Sequence, residues 1–458
     1  MTTFQWRCAF GGLLVGLGVL IVACGGGGDS GGGDLAAVAA LPGSGTPAVT
    51  PSTAGGAPAV KITVTGSNAV SYWNEIATNT TNVPASVDGS PAERRPTASV
   101  DLADVQIAVY DALVAVVGGY QPFASSPPGV VPDQSDVTQK AAIGAAAYGV
   151  LKGLFPNRTA QYQPAYDSFM ADLVGGDAKL LGTALGASAA SGVLAMRGDD
   201  GRSVALAPYV PGTAPGKFRG TNPVNRYFPS IKPLALDNAA QFRAVEPPAL
   251  TSATYTTDFN ETRTFGGATS SVRTDAQLEI AKFHTEAPFR FWPRNLRRFA
   301  MTDGTLLDHA RLLAMLFVAE ADAEIGCFES KYHYEFWRPQ SAISLADTDG
   351  NDATVTDPAW TPAVPTPNHP EYPAAHACVS GAVTEILKAF YGTDQIAFTF
   401  DSTVTGSTHT FASTSDLVQE IRGARIYGGM HFRNSLVNGY RLGADVAQWV
   451  VANKFKAR

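Results

Sequence analysis

At 458 residues, the chain is long enough for two to four domains of roughly 100–200 residues each, or for one large bundle with a tail. Hydrophobic residues make up 45% and charged residues 16%, a composition that buries a core and excludes a wholly disordered protein. Lys and Arg number 33 against 40 Asp and Glu, a formal net charge of -7 with no basic run, which argues against a nucleic-acid partner.

The N-terminus reads as an export signal. Arg7 precedes an apolar run from Cys8 to Ala23 that is too short to favour a membrane span. The run ends in Ile21-Val22-Ala23-Cys24, which resembles a bacterial lipobox with Cys24 as the lipidated residue; an ordinary signal peptide or a signal anchor is the competing reading. Residues 25–58 are mostly Gly, Ser, Thr, Pro and Ala, with two aspartates, two leucines and two valines, a linker composition. These features predict an exported bacterial lipoprotein of the cell envelope, periplasmic or on the outer surface, held to the membrane by its lipid anchor only. After Cys24 no continuous apolar stretch of 18 residues occurs, so no transmembrane helix is expected there. Cys327 and Cys378 remain, either bridged in an oxidising compartment or free as buried thiols.

Apolar spacing predicts helices over 100–118, 136–154, 161–174, 178–197, 275–286, 304–326, 330–344, 373–391, 415–427 and 433–454. Segment 200–272 is rich in Pro, Gly, Thr and Arg and reads as ordered loop with short helices, part of it a lid. Segment 346–372 is similar, and 393–414 alternates Phe and Thr as a small hairpin does. The expected fold is all-α, one large helical bundle or two fused helical halves with few or no strands, spanning 59–458, with an anion site between its C-terminal helices.

All seven histidines lie between His284 and His431, which places function in the C-terminal half. No H-E-x-x-H, C-x-x-C or P-loop is present, and the G-x-S-x-G match at Gly28-Asp29-Ser30-Gly31-Gly32 falls in the linker. Three polar clusters remain. In Lys331-Tyr332-His333-Tyr334-Glu335-Phe336-Trp337-Arg338-Pro339, seven residues of helix would put Lys331 and Arg338 on one face, a clamp for a multiply charged anion. In Pro367-Asn368-His369-Pro370-Glu371-Tyr372-Pro373-Ala374-Ala375-His376, Pro373 suits a first helical position, leaving free N–H groups beside His376, an acid/base candidate. In Arg425-Ile426-Tyr427-Gly428-Gly429-Met430-His431-Phe432-Arg433, the two glycines should break the helix and let Arg425 and His431 converge, with His431 opening the last helix.

Together the three clusters resemble the vanadium-dependent haloperoxidase and type 2 phosphatidic acid phosphatase superfamily, whose pattern is K-x6-R-P, P-S-G-H and S-R-x5-H. Lys331 and Arg338 match the first element, Pro373 and His376 the second, and Arg425 and His431 the third. The resemblance implies that His431 is the vanadate ligand or the phosphohistidine nucleophile, and His376 the acid/base group. Lys331, Arg338, Arg425 and the Ala375 backbone N–H would form the oxyanion clamp. It also implies vanadate as cofactor, displaceable by phosphate, with hydrogen peroxide, halide and a small organic acceptor as partners. His369, seven residues before His376, is the halide-site candidate and favours bromide or iodide over chloride. An acid phosphatase acting on a phosphomonoester is the alternative. A non-catalytic anion-binding envelope lipoprotein is a third reading.

The chain departs from the pattern at Ala374 and Ala375, where Ser and Gly are usual, and at Ala424 before Arg425. Ser435 stands four residues after His431, where many members carry an acid. A serine at 374 would be expected to restore a charge-assisted hydrogen bond of roughly 1.5–3 kcal/mol to a bound oxyanion.

Overall fold

The computed structural model describes residues 59–82, 97–124 and 131–458; the predicted signal, Cys24 and most of the linker lie outside the described residues. The helices are α1 (Ala69–Thr81), α2 (Ala98–Val117), α3 (Asp136–Leu154), α4 (Thr159–Ala171), α5 (Asp177–Met196), α6 (Ala253–Gly266), α7 (Asp275–Phe283), α8 (Pro288–Arg297), α9 (Leu306–Tyr334), α10 (Pro339–Ser344), α11 (Ala375–Tyr391), α12 (Thr414–Tyr427) and α13 (Arg433–Asn453). Three short strands, β1 (Val60–Lys61), β2 (Ile396–Asp401) and β3 (Thr408–Phe411), form one sheet, with β1 parallel and β3 antiparallel to β2. The expected 393–414 hairpin is the β2–β3 pair, in register from Phe398 opposite Phe411 to Asp401 opposite Thr408.

Helix α9 is the axis of the bundle. The Thr305 hydroxyl accepts from the Asp308 N–H at 3.1 Å, and Ala, Leu, Met and Phe fill most of the following turns with no internal Gly/Pro pair to break them. Leu312 to Ala323 is buried on every side, because α2, α11 and α13 pack around it. On the opposite flank α3 and α5 form a second close pair. By length and composition helix α5 is apolar enough to cross a membrane, although Gly, Ser and Thr interrupt its apolar run. Its Gly182 and Gly186 pack directly onto the Thr138 and Ala142 carbonyls of α3.

Three helices lie outside the predicted helix ranges because their composition disfavours helix. Helix α1 is rich in Thr and Asn, α6 in Thr, and α8 carries Pro288 and Pro293 in ten residues. The 200–272 segment is a tethered wall rather than a lid. The buried Asp322 carboxylate of α9 accepts the N–H groups of Leu234, Ala235 and Leu236 at 2.6–3.0 Å, and Arg202 joins Asp200 to Asp101 of α2.

Cys327 of α9 and Cys378 of α11 form a disulfide across 51 residues, which decides between the two readings of these thiols. Helices α11 and α13 cross closely because glycines face backbone. A Cβ on Gly443 would sit 1.9 Å from the Cys378 carbonyl oxygen, and one on Gly381 2.4 Å from that of Tyr440. Gly443→Ala must therefore push α13 off α11, and we expect a loss of about 1–3 kcal/mol in denaturant unfolding. Wild-type stability in that variant would mean that the crossing has slack.

Candidate active site

The two cations of the first cluster do not share one helix. Helix α9 ends at Tyr334 because Glu335 takes a left-handed conformation, φ 51°, and Pro339 starts α10 instead of ending a longer helix. Lys331 sits in the last turn of α9 and Arg338 at the N-cap of α10. What joins them is the 367–373 loop. Lys331 Nζ donates to the Pro370 and Glu371 carbonyls, both at 2.9 Å, and Arg338 Nε to that of His369 at 2.8 Å. The loop then enters α11 at Ala375, two residues later than expected, with Ala374 as N-cap and Pro373 ahead of the helix. Ala375 and His376 still supply first-turn N–H groups without intrahelical acceptors.

The third cluster turns as its glycines predict. Helix α12 stops at Tyr427, and Gly429 adopts φ 75° where a Cβ would lie 2.4 Å from the Gly266 carbonyl oxygen. The chain folds back so that the Met430 N–H reaches the Arg425 carbonyl at 3.1 Å. His431 does not open the last helix: α13 begins at Arg433, with Phe432 as N-cap.

These breaks bring Lys331, Arg338, His369, Arg425 and His431 together in the interior, each less than a tenth exposed. Arg338 Nη1 reaches the Met430 carbonyl at 2.9 Å and His431 Nε2 at 3.1 Å, while Nη2 reaches His369 Nδ1 at 3.0 Å. Arg425 donates through Nη1 to the His284 carbonyl at 2.9 Å, and its buried Nε has no partner. His376 Nε2 lies 3.1 Å from the same His284 carbonyl, so Nε2 carries the proton and Nδ1 is left to act as a base.

Glu371 is the functional residue that the sequence reading missed. Its Oε1 accepts from His431 Nδ1 at 2.8 Å and from the Phe432 N–H at 3.0 Å. The carboxylate expected four residues after His431 is thus supplied from the other cluster, with Ser435 beside it. An Nδ1–H committed to Glu371 leaves the Nε2 lone pair facing the cations, the tautomer that a ligand or nucleophile requires.

The charge balance has a definite sign. Glu371 is the carboxylate facing Lys331 and Arg338, against three buried cations counting Arg425. Burial, reinforced by Arg338, holds the Lys331 ammonium well below its ordinary range, and burial lowers both guanidinium groups. Burial followed by Arg338 and Lys331 keeps His431 and His369 neutral, and burial followed by Arg425 does the same for His376. Burial pushes the Glu371 carboxyl up to about 7, against the pull of Lys331 and Arg338. Uncompensated buried charge is costly, and an oxyanion of matching size offsets it.

His284, His369, Ala375, His376, Arg425 and His431 open onto a chamber of about 640 Å³. Ala374 does not line it: its methyl is fully buried in an apolar cluster with Ala377, Ile426 and Leu436. The expected benefit of a serine is therefore corrected. Ala374→Ser should change vanadate affinity by less than about twofold, because its hydroxyl would meet that cluster and the α11 N-terminus instead of the chamber. A tenfold gain in a vanadate titration would return residue 374 to the oxyanion clamp.

The geometry has counterparts. Residues 311–457 match the family model described as the VCPO second helical-bundle domain. The C-terminal bundle therefore resembles that domain. A vanadium chloroperoxidase from Curvularia inaequalis is 33% identical over 124 residues, 23% of this chain and 20% of that protein, so the match spans about a fifth of the relative's length. Among solved structures, a bacterial vanadium-dependent iodoperoxidase superposes with a TM-score of 0.67 at 23% identity, over 85% of this chain and 98% of that one. A holo-type bacterial vanadium-dependent chloroperoxidase gives 0.65 at 14% identity, with the same coverage. These two likenesses establish that the mainly helical fold extends well beyond the C-terminal bundle.

Proposed function

We propose that the chain is a vanadate-dependent haloperoxidase-type enzyme that oxidises halide with hydrogen peroxide, bromide or iodide ahead of chloride, and passes the oxidised halogen to a small organic acceptor. The observation that carries this reading is His431 itself, its Nδ1–H held by Glu371 and its Nε2 turned into a buried cluster of cations.

The donor set fits vanadate: the partnerless Nε of Arg425 and the Ala375 N–H, both on the chamber, would hold its oxygens with His431 Nε2 as the ligand, and Lys331 and Arg338, which stand behind the lining on backbone carbonyls, would add positive charge. When bound, vanadate supplies Lewis-acid activation of peroxide toward halide. Lys331, Arg338 and Arg425 neutralise oxyanion charge in a water-poor interior. His376 holds or moves a proton at Nδ1, and Glu371 fixes the His431 tautomer. His369, stacked edge-on against Phe328 and facing Arg338, is placed to set halide preference.

The test is to load the purified chain with orthovanadate and measure oxidation of chloride, bromide and iodide by peroxide, beside phosphomonoester hydrolysis. Vanadate-dependent oxidation of bromide and iodide that falls as phosphate is added is expected. Hydrolysis without halide oxidation would replace this reading with the phosphatase one.

A further inference from the structure

The chamber has a second polar end of opposite sign. Phe317, Glu320, Glu324, Phe328 and Lys331 recur at spacings of three and four along α9 and share one face. Of these, Phe317, Glu320, Glu324 and Phe328 line the chamber that His431 and Arg425 close at its far side. From the two acids to Lys331 is seven to eleven residues of helix, or about 10–16 Å at 1.5 Å per residue.

Glu320 is 4% exposed, and its Oε2 is buried without a hydrogen-bond partner. Glu324 accepts from the Ser99 hydroxyl. Among the described residues no Lys, Arg or His pairs with either acid, in contrast to Glu286 on the same chamber, which is held by Arg294 at 2.5 Å. Burial raises both carboxyls, and Glu324 raises Glu320 further. The walls beside them are apolar: Leu102, Phe289 and Val379 in addition to the two phenylalanines.

We infer that this end of the chamber binds the ammonium group of a small arylalkylamine, with Glu320 and Glu324 on the cation and the aromatic ring between Phe317, Phe328 and Leu102, directed toward the oxyanion cluster. Burial disfavours the ionised acids while the site is empty; an ammonium group supplies the opposite charge that lets them ionise and satisfies the partnerless Oε2, whereas a neutral hydroxyl supplies no charge. The aromatic walls suit a flat apolar body and add attraction for the cation. A volume of about 640 Å³ lies within the roughly 300–1,000 Å³ of small-molecule sites. That the ring is the halogen acceptor rests on the function proposed above; the binding itself does not.

Binding is therefore measured without turnover, by calorimetry on the purified full chain with tryptamine, 3-ethylindole and indole-3-propionate as probes. Tryptamine should bind saturably and at least tenfold more tightly than either of the others. Glu320→Gln with Glu324→Gln should lose that tenfold, with the melting temperature reporting that the double variant is folded. If it does not fold, Glu324→Gln and the wild-type probe series decide the matter. Equal binding of the three probes, or unchanged tryptamine affinity in the variant, overturns the proposal. Tryptamine binding without halide oxidation would leave the amine site standing and remove the haloperoxidase reading; the converse would remove the amine site alone.

Discussion

His431→Ala should leave no vanadium with the protein after gel filtration, while His376→Ala keeps it and loses turnover by about 10²–10⁴-fold. The difference lies in what each ring nitrogen faces. His431 Nε2 accepts from Arg338 Nη1 at 3.1 Å, and its other nitrogen is tied to a carboxylate, so the Nε2 lone pair is aimed at the cation cluster. His376 spends its Nε2 on a backbone carbonyl and contributes to anion retention only through the helix start it occupies. Three cations survive in His431→Ala, so weak phosphate competition should persist even though the covalent or coordinate bond is gone. Vanadium content and halide oxidation measured on the same fractions separate the two effects. If His376→Ala loses the vanadium and His431→Ala retains it, the roles are exchanged.

Changing Glu371 is the second large perturbation, and its two variants should differ in kind. Glu371→Gln keeps an oxygen for the His431 and Phe432 N–H groups but removes the charge that makes Nε2 a stronger donor. A fall of about 10–100-fold in vanadate affinity is expected, the usual cost of altering a partner one shell out from a ligand. Glu371→Leu removes the carboxylate that faces Lys331 and Arg338 and leaves buried cations uncompensated, at a cost of about 3–5 kcal/mol of stability. Phosphate should recover part of the Leu variant's melting temperature by binding the folded state. Ser435→Asp in the Gln background should recover part of the vanadate affinity, because Ser435 lies beside the same carboxyl. Wild-type affinity in Glu371→Gln would show that His431 is oriented without it.

The helices that carry the site were legible because their apolar residues recur with the helical period, and 136–154 was read with the boundaries the structure has. Helices α1, α6 and α8 were not, since Thr, Asn and Pro weaken the local signal and tertiary packing compensates. The cation pair was read correctly for a wrong reason. Regular helix spacing would align Lys331 and Arg338, but Glu335 breaks the helix, and the two meet through a loop that lies thirty or more residues ahead of them. Glu371 stood inside a motif already singled out, yet its partnership with His431 spans sixty residues and leaves no local trace. The acids at 320 and 324 read as ordinary helix residues until the chamber gave that face an interior.

The disulfide sits close to both halves of the site, with Cys327 four residues before Lys331 and Cys378 two after His376. Closing a 51-residue loop restricts the denatured chain by about 4 kcal/mol in the entropic account. Recombinant material made in a reducing cytoplasm and material exported to an oxidising one are consequently different reagents. A helical spectrum by circular dichroism would not tell the batches apart, because each helix is built from its own hydrogen bonds, but the disulfide is the covalent tie between the helix that carries Lys331 and the one that carries His376. Thiol content therefore belongs among the release criteria of any preparation used for anion titrations.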